Sequence, residues 1–202
     1  MTKKKKNNSG VKFIVGFIIV LIIFAGFIYI QKKIDDKKIN KDSYNGFSFG
    51  YDEYNKLWIT QINWNNKLYN IPFYYHPTDL EKIVVQNNVE NIILRNKPSD
   101  IIISVPSDSS SEIALAGIEI SKITGTRFDV LNIPTTSALS EKVEGFPFAD
   151  CRHSSQERVV IIFKKSDKNY ISGEENCITL EFKQNQSIQV ADSFSYHLLK
   201  IM

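Results

Sequence analysis

Three patterns of hydrophobic and polar residues follow one another along the chain, and each predicts a different kind of structure. Residues 13–30 read FIVGFIIVLIIFAGFIYI, 18 consecutive positions without a charge, an amide or a proline. At about 1.5 Å per residue a helix of this length covers roughly 27 Å, close to the hydrocarbon thickness of a bilayer. Lys12 precedes the run, Lys32 and Lys33 follow it, and Tyr29 stands near its end, where long cationic and phenolic side chains reach lipid headgroups. The run is apolar all round, unlike a helix that covers one face of a globular core. The pattern predicts a transmembrane signal-anchor over residues 13–31, after a basic tail at 1–12 and before a charged juxtamembrane stalk at 32–43.

The second pattern is alternation. GFSFGY (46–51), KLWITQINW (56–64) and LYNIPFYY (68–75) interleave large apolar with polar residues, which predicts a β-meander. Asn65 and Asn66 supply the positive φ that a tight hairpin turn requires. Trp58, Ile62 and Trp64 share one parity and one face, and Pro72 confines its strand to an edge or a bulge. His76-Pro77 opens a turn and a helix start with Thr78 or Asp79 as N-cap; the apolar residues between 83 and 94 fit a strand or a short helix equally.

The third pattern begins at Asp100. Ile101, Ile102, Ile103 and Val105 form an apolar run of strand length. Ile113, Ala116, Gly117, Ile120 and Ile123 then recur at helical spacing, with Ser107 or Asp108 as cap and Gly125 as stop. RFDVLNI (127–133) resumes as a strand, so strand, helix and strand make a βαβ unit with parallel strands and a right-handed crossover. Two further strands, 159–164 and 177–182, are joined by a polar loop. An amphipathic helix over 188–201 closes the chain, its face formed by Val190, Ala191, Phe194, Leu198 and Ile201. The expected fold class is α+β, with mixed α/β as the alternative, in one domain spanning 44–202.

Composition and charge sharpen this picture. The chain has 202 residues, 43% hydrophobic and 23% charged, with only two cysteines; a disordered chain and a disulfide-dense miniprotein are excluded. Residues 1–42 hold ten lysines against three aspartates, whereas 43–202 hold 15 basic and 19 acidic residues. The basic character therefore belongs to the N-terminal segment, and no nucleic-acid partner is expected for the acidic remainder. Five lysines flank the apolar run on each side, so the positive-inside rule alone does not orient it. The acid-free N-terminal tail and the cysteine pair favour a cytoplasmic N-terminus and an extracytoplasmic domain. A cleaved signal peptide fits less well, because the run exceeds an h-region and lacks an A-x-A site. A pilin-like leader cut near Gly10 is a further alternative, although the acidic residue expected early in a mature pilin is missing.

Candidate chemistry is sparse. The turn PSDSSSE (106–112) carries Asp108, Ser109, Ser110 and Ser111 where a strand hands over to a helix N-terminus, a place that attracts ions and ligands in open α/β sheets. It resembles the D-x-S-x-S cation-binding turn of von Willebrand A-type domains, with Asp108 and Ser110 matching and Glu112 in place of the second serine; a plain capping cluster is the competing reading. Cys151 and Cys177 are disulfide candidates on an oxidising face of a membrane. Free buried thiols, a metal site with His153 and His76 or His197, and a Cys151–His153 catalytic pair are the alternatives, but the spacing matches no zinc pattern. The carboxylates Glu119, Asp129, Asp150, Glu174, Glu175 and Asp192 pair only through an assumed topology. Among eleven aromatic residues between Tyr44 and Tyr75, Trp58, Trp64, Tyr74 and Tyr75 are candidates for facing a protein or glycan partner, against a core role. Asn185 begins an N-glycosylation sequon, Asn185-Gln186-Ser187. No catalytic constellation, metal site or cofactor is assigned.

Taken together, the apolar anchor, the block YDEYNKLWITQINWNNKLYNIPFYYHP, the helix ALAGIEISKI, the cysteine pair and the closing segment ADSFSYHLLKIM resemble uncharacterised single-pass, N-terminally anchored membrane proteins of archaeal type. That resemblance brings no activity and no site residues. The expected role is a non-enzymatic extracytoplasmic binding or envelope-assembly module held to the bilayer through residues 13–31. The alternatives are a membrane-tethered hydrolase using the Ser-rich turn or the Cys151/His153 region, and a filament subunit.

Overall fold

A computed structural model describes residues 18, 20–27 and 40–202. The chain divides into two units, Met1–Asn40 and Lys41–Met202. In the first, Ile18 and residues 20–27 are helical with exposed side chains. Among the described residues no helix is long and apolar enough to cross a membrane. The basic tail, the Gly10 position, most of the run at 13–31 and most of the stalk lie outside the described residues.

The second unit is a mixed α+β fold with a meander sheet and a C-terminal helix. Strands β1 (Asn40–Tyr44), β2 (Phe47–Asp52), β3 (Leu57–Trp64) and β4 (Lys67–Phe73) follow one another across a four-stranded sheet. Asn45 (φ 46°) and Gly46 (φ 82°) turn β1 into β2, and Asn65 (φ 51°) and Asn66 (φ 62°) turn β3 into β4, the left-handed pairs that match hairpin twist. Trp58, Thr60, Ile62 and Trp64 point to the covered side of β3, while Ile59, Gln61 and Asn63 are exposed. β4 is an edge strand, where Pro72 opposite Ile59 leaves no ladder bond unmade.

After β4 the chain makes a one-turn helix α1 (Pro77–Leu80), a two-residue strand β5 (Val84–Val85) and a second short helix α2 (Asn91–Leu94), so the ambiguous stretch 83–94 holds both kinds of element. The N-cap of α1 is His76 rather than Thr78 or Asp79: its side chain accepts from the Thr78 amide and Asp79 returns a bond to the His76 amide.

Six strands form the second sheet in the order β5-β9-β10-β8-β6-β7. β6 (Asp100–Val105), α3 (Ser111–Thr124) and β7 (Thr135–Leu139) make the expected βαβ unit with parallel strands. Two of its boundaries differ from the sequence reading. The helix is capped by Ser110 instead of Ser107 or Asp108, because Ser109 N–H closes a turn onto Pro106 before helical bonding begins. The returning strand lies after Pro134 and not at 127–133, since Asp129 (φ 60°) and Asn132 (φ 54°) take left-handed conformations that break an extended run. Gly125 ends α3 with its amide on the Ser121 carbonyl, and a Cβ there would lie 2.6 Å from that same oxygen.

β8 (Arg158–Lys165) and β10 (Cys177–Phe182) are adjacent and parallel, and the loop between them holds another strand, β9 (Tyr170–Glu174), paired antiparallel with β10. α4 (Ser187–Leu198) closes the fold. Ile101, Ile103, Val159, Ile161, Phe163, Ile178 and Leu180 face α3 and α4 in the main core, each contributing roughly 1.5–3 kcal/mol on burial. Phe49, Ile62, Ile71 and Phe73 of the meander belong to that same core, so the meander covers the helices. A smaller cluster of Ala138, Ala149, Val160 and Cys177 lies on the other parity of the six-stranded sheet, where the Ser104 hydroxyl donates to the Ala149 carbonyl at 2.7 Å.

Candidate functional site

Because β6, β7, β8 and β10 run in one direction, their carboxyl ends share one edge, and the segments leading into α3 and α4 both leave from it. The Ser-rich turn lies there. A cleft of about 320 Å³ is lined by Asp108, Ser110, Glu112, Lys165, Gln184 and Asn185 among others. A second cleft of about 320 Å³ shares Asp108 and Lys165 with it and adds Ser140, Glu141 and Asp150. This is where open α/β sheets place ligands.

The charges in these clefts are already engaged. Asp108 accepts from Lys165 Nζ at 2.6 Å, and that bond holds its carboxyl below the usual range. Glu141 accepts from the Ser107 amide at 2.7 Å, which likewise lowers its pKa. Glu112 does not complete a cation-binding turn. Its Oε1 accepts from the Ser187 amide at 3.0 Å and the Ser187 hydroxyl at 2.9 Å, so it caps α4, whose own N-cap Gln186 makes no side-chain capping bond. Glu112→Ala should therefore cost about 1–2 kcal/mol, leaving a fully buried Ser187 unpaired. Thermal unfolding would show this, with Glu112→Gln, which keeps an acceptor oxygen, costing less than half as much.

Cys151 and Cys177 form a disulfide, with Cα atoms 5.3 Å apart. It joins a one-turn 3₁₀ helix, Cys151–His153, to the start of β10 on the side of the smaller core cluster. A bonded cysteine offers neither a thiolate ligand nor a nucleophile, so the alternative thiol, metal and Cys–His readings of this pair do not apply. Asp150 caps the 3₁₀ turn: it accepts from the Arg152 amide at 3.0 Å and the Arg152 guanidinium at 2.5 Å, and its Oδ1 lies 2.8 Å from His153 Nδ1. Hydrogen bonds from Arg152, with His153 adding to them, pull the Asp150 carboxyl down to about 2.

The other histidines lie elsewhere. His76 is buried, with its ring 4.8 Å from Phe49 and 4.6 Å from Trp58, and burial lowers its pKa. His197 is half-buried on α4 and lowered by the same cause. Among the described residues no group of three or more His, Cys, Asp or Glu could hold a metal ion.

Trp58, Trp64 and Tyr75 are turned inward and pack against the core, because the meander needs large side chains to fill its layer; Tyr74 keeps an exposed ring. Asn185 is exposed in a left-handed turn, but the sequon's Ser187 is buried and committed to Glu112.

What the sequence does not assemble is a buried charged cluster between α3, α4 and the exit of β4. Ser193 and Tyr196 of α4 are fully buried together with Asp192, since the meander covers that side of the helix. Asp192 Oδ2 accepts from the Tyr74 and Tyr75 amides at 2.9 and 3.0 Å, and the Tyr196 hydroxyl donates to the Tyr75 carbonyl at 2.8 Å. From α3, Lys122 donates to Glu119 and to the Pro72 carbonyl with its ammonium 4.7 Å from the Phe73 ring centroid. A sequence signal for this does exist: the polar residues of α4 around Asp192 are small, whereas a solvent-facing helix surface is usually built from Lys and Glu.

Comparison with models of protein families, with curated proteins and with solved structures found no match.

Proposed function

We propose that the chain is a membrane-anchored module whose Lys41–Met202 unit stands on the extracytoplasmic side and binds or assembles with an envelope partner, a protein or a glycan, without turning over a substrate. The observation that carries this reading is the Cys151–Cys177 disulfide. Such bonds persist where the surroundings are oxidising, and the unit follows an uncharged run of 18 apolar residues flanked by lysines. The resemblance to archaeal-type single-pass proteins points to the same placement.

A binding role fits the clefts at the sheet edge better than the hydrolase alternative. Asp108 and Glu112 are tied to Lys165 and Ser187, and Cys151 is bonded, so a nucleophile activated by a nearby base is not assembled from these residues. Amides and hydroxyls from Ser110, Ser166, Gln184 and Asn185 remain to line the cleft, which is the chemistry of hydrogen bonding to a polar, uncharged ligand.

The placement is tested by adding protease to intact cells that carry the full chain with an epitope tag after Met202. The tag should be lost without lysis. Survival of the tag until the cells are broken would contradict the reading.

A further inference from the structure

Glu119 and Lys122 of α3 and Asp192 of α4 are each more than nine-tenths buried. One ammonium stands among two carboxylates, so the enclosed set is neutral only when one carboxylate carries a proton. A bare excess charge held away from water is costly enough that such groups are neutralised instead. The same side chains hold the meander to the helices: Lys122 on the Pro72 carbonyl, Asp192 on the Tyr74 and Tyr75 amides, and Tyr196 on the Tyr75 carbonyl. Asp192 Oδ1 has no hydrogen-bond partner among the described residues, so an additional negative charge there has nothing to receive it.

We propose that this cluster is a proton-controlled latch: with one proton on the Glu119/Asp192 pair it holds the exit of β4 on the helices, and loss of that proton releases the meander sheet. The proton resides on Asp192, whose carboxyl is pushed up to about 8, first by burial and then by Glu119, with Lys122 and the two amides opposing. Other titratable and charged groups face the cluster. The Tyr74 hydroxyl beside it and the Tyr196 hydroxyl on α4 are both raised above their ordinary value of 10. His76, the N-cap of α1, packs on Phe49, whose ring is 5.9 Å from that of Tyr196, and is lowered below 6.5 by burial. Asp79 and the Glu119–Lys122 pair complete the set.

The sign follows from linkage. A raised carboxyl means that the closed state holds one proton more than the open one between about pH 4 and pH 8, so closure weakens as pH rises through that window and levels off above it. A single proton sets the limit at about tenfold in the closed-to-open ratio per pH unit. The exposed ties between β4 and the loop after α3, Lys67 to Asp129 at 2.9 Å and the Tyr69 hydroxyl to the Asp129 carbonyl at 2.7 Å, do not depend on this proton and act as a hinge on the other side.

Amide exchange on the full-length chain in mild detergent, corrected for intrinsic rates, tests the latch. Protection at Tyr74 and Tyr75 should fall up to about tenfold per pH unit between pH 6 and 8, while β8 amides stay protected and Trp58 and Trp64 fluorescence shifts in parallel. In Asp192→Asn the dependence should vanish. The proposal is overturned if Asp192→Asn retains the same fall, or if Tyr74 and Tyr75 lose protection only together with β8. Should Asp192→Asn not fold, ¹³C carboxyl titration of the wild-type chain decides. One carboxyl titrating near 8 supports the latch, and every carboxyl titrating below about pH 5 refutes it.

Discussion

Replacing Lys122 by alanine should lower the unfolding free energy of the Lys41–Met202 unit by about 3–5 kcal/mol, the range seen when one partner of a buried ion pair is removed. Lys122 is 6% exposed and Glu119 6% exposed, so solvent screening gives little relief. Without the ammonium, the Glu119 carboxyl is left without its partner in a buried site beside Asp192, the Pro72 carbonyl loses its donor, and the Phe73 face loses its cation. Alanine also leaves a gap where the lysine stem packed. The cost should be charge-specific. In Glu119→Met/Lys122→Met both charges are gone, the volume is kept and Asp192 can stay neutral, so the double variant should recover most of the loss. Denaturant unfolding of wild type, Glu119→Met, Lys122→Met and the double variant checks this through a double-mutant cycle with a large coupling energy. Two single losses that simply add would mean that Glu119 and Lys122 do not act as a pair.

Removing the disulfide should cost a comparable amount. The bridge spans a sequence separation of 26, for which the chain-entropy relation gives about 3.5 kcal/mol. For a domain of this size that corresponds to a fall in Tm of roughly 10 °C. Cys151→Ser/Cys177→Ser should show it, and wild type in reductant should show nearly the same fall, because Cys151 lies at the surface and is accessible. Cys177 is 5% exposed within the smaller cluster, so Cys151→Ser/Cys177→Ala should do slightly better than the serine pair, which places a hydroxyl among apolar neighbours. Equal melting of the wild-type chain with and without reductant would contradict this.

Short-range chemistry was legible in the sequence. Asn65 and Asn66 specify the hairpin between β3 and β4, and the parity of Trp58, Ile62 and Trp64 identifies the inner face of the meander before any contact is known. The apolar spacing of α3 and the run 101–105 locate the βαβ unit for the same reason. Boundaries failed where several residues of one chemical type compete: Ser107, Asp108 and Ser110 are all acceptable caps, and only the turn closed by Ser109 selects Ser110. β9 stayed hidden because Tyr170–Glu174 sits in a polar stretch and gains its place from pairing with β10, a contact no local pattern encodes. The burial of Asp192 on α4 was not legible, because a charge on a helix is ordinarily solvated. Asp192 is buried under the exit of the meander, more than 110 residues earlier in the chain, where the Tyr74 and Tyr75 amides donate to it. The disulfide lay between the two extremes: the sequence supplied both cysteines, and the fold supplied the 5.3 Å approach.

The most direct measurement is a thiol count on the chain as cells make it. Cells are quenched with a membrane-permeant alkylating reagent, membranes are separated from the soluble fraction, and the labelled cysteines are identified by mass with and without prior reduction. An anchored unit on the oxidising side gives a membrane-bound chain in which Cys151 and Cys177 take label only after reduction. A chain recovered in the soluble fraction, or one whose cysteines label before any reductant is added, would contradict it.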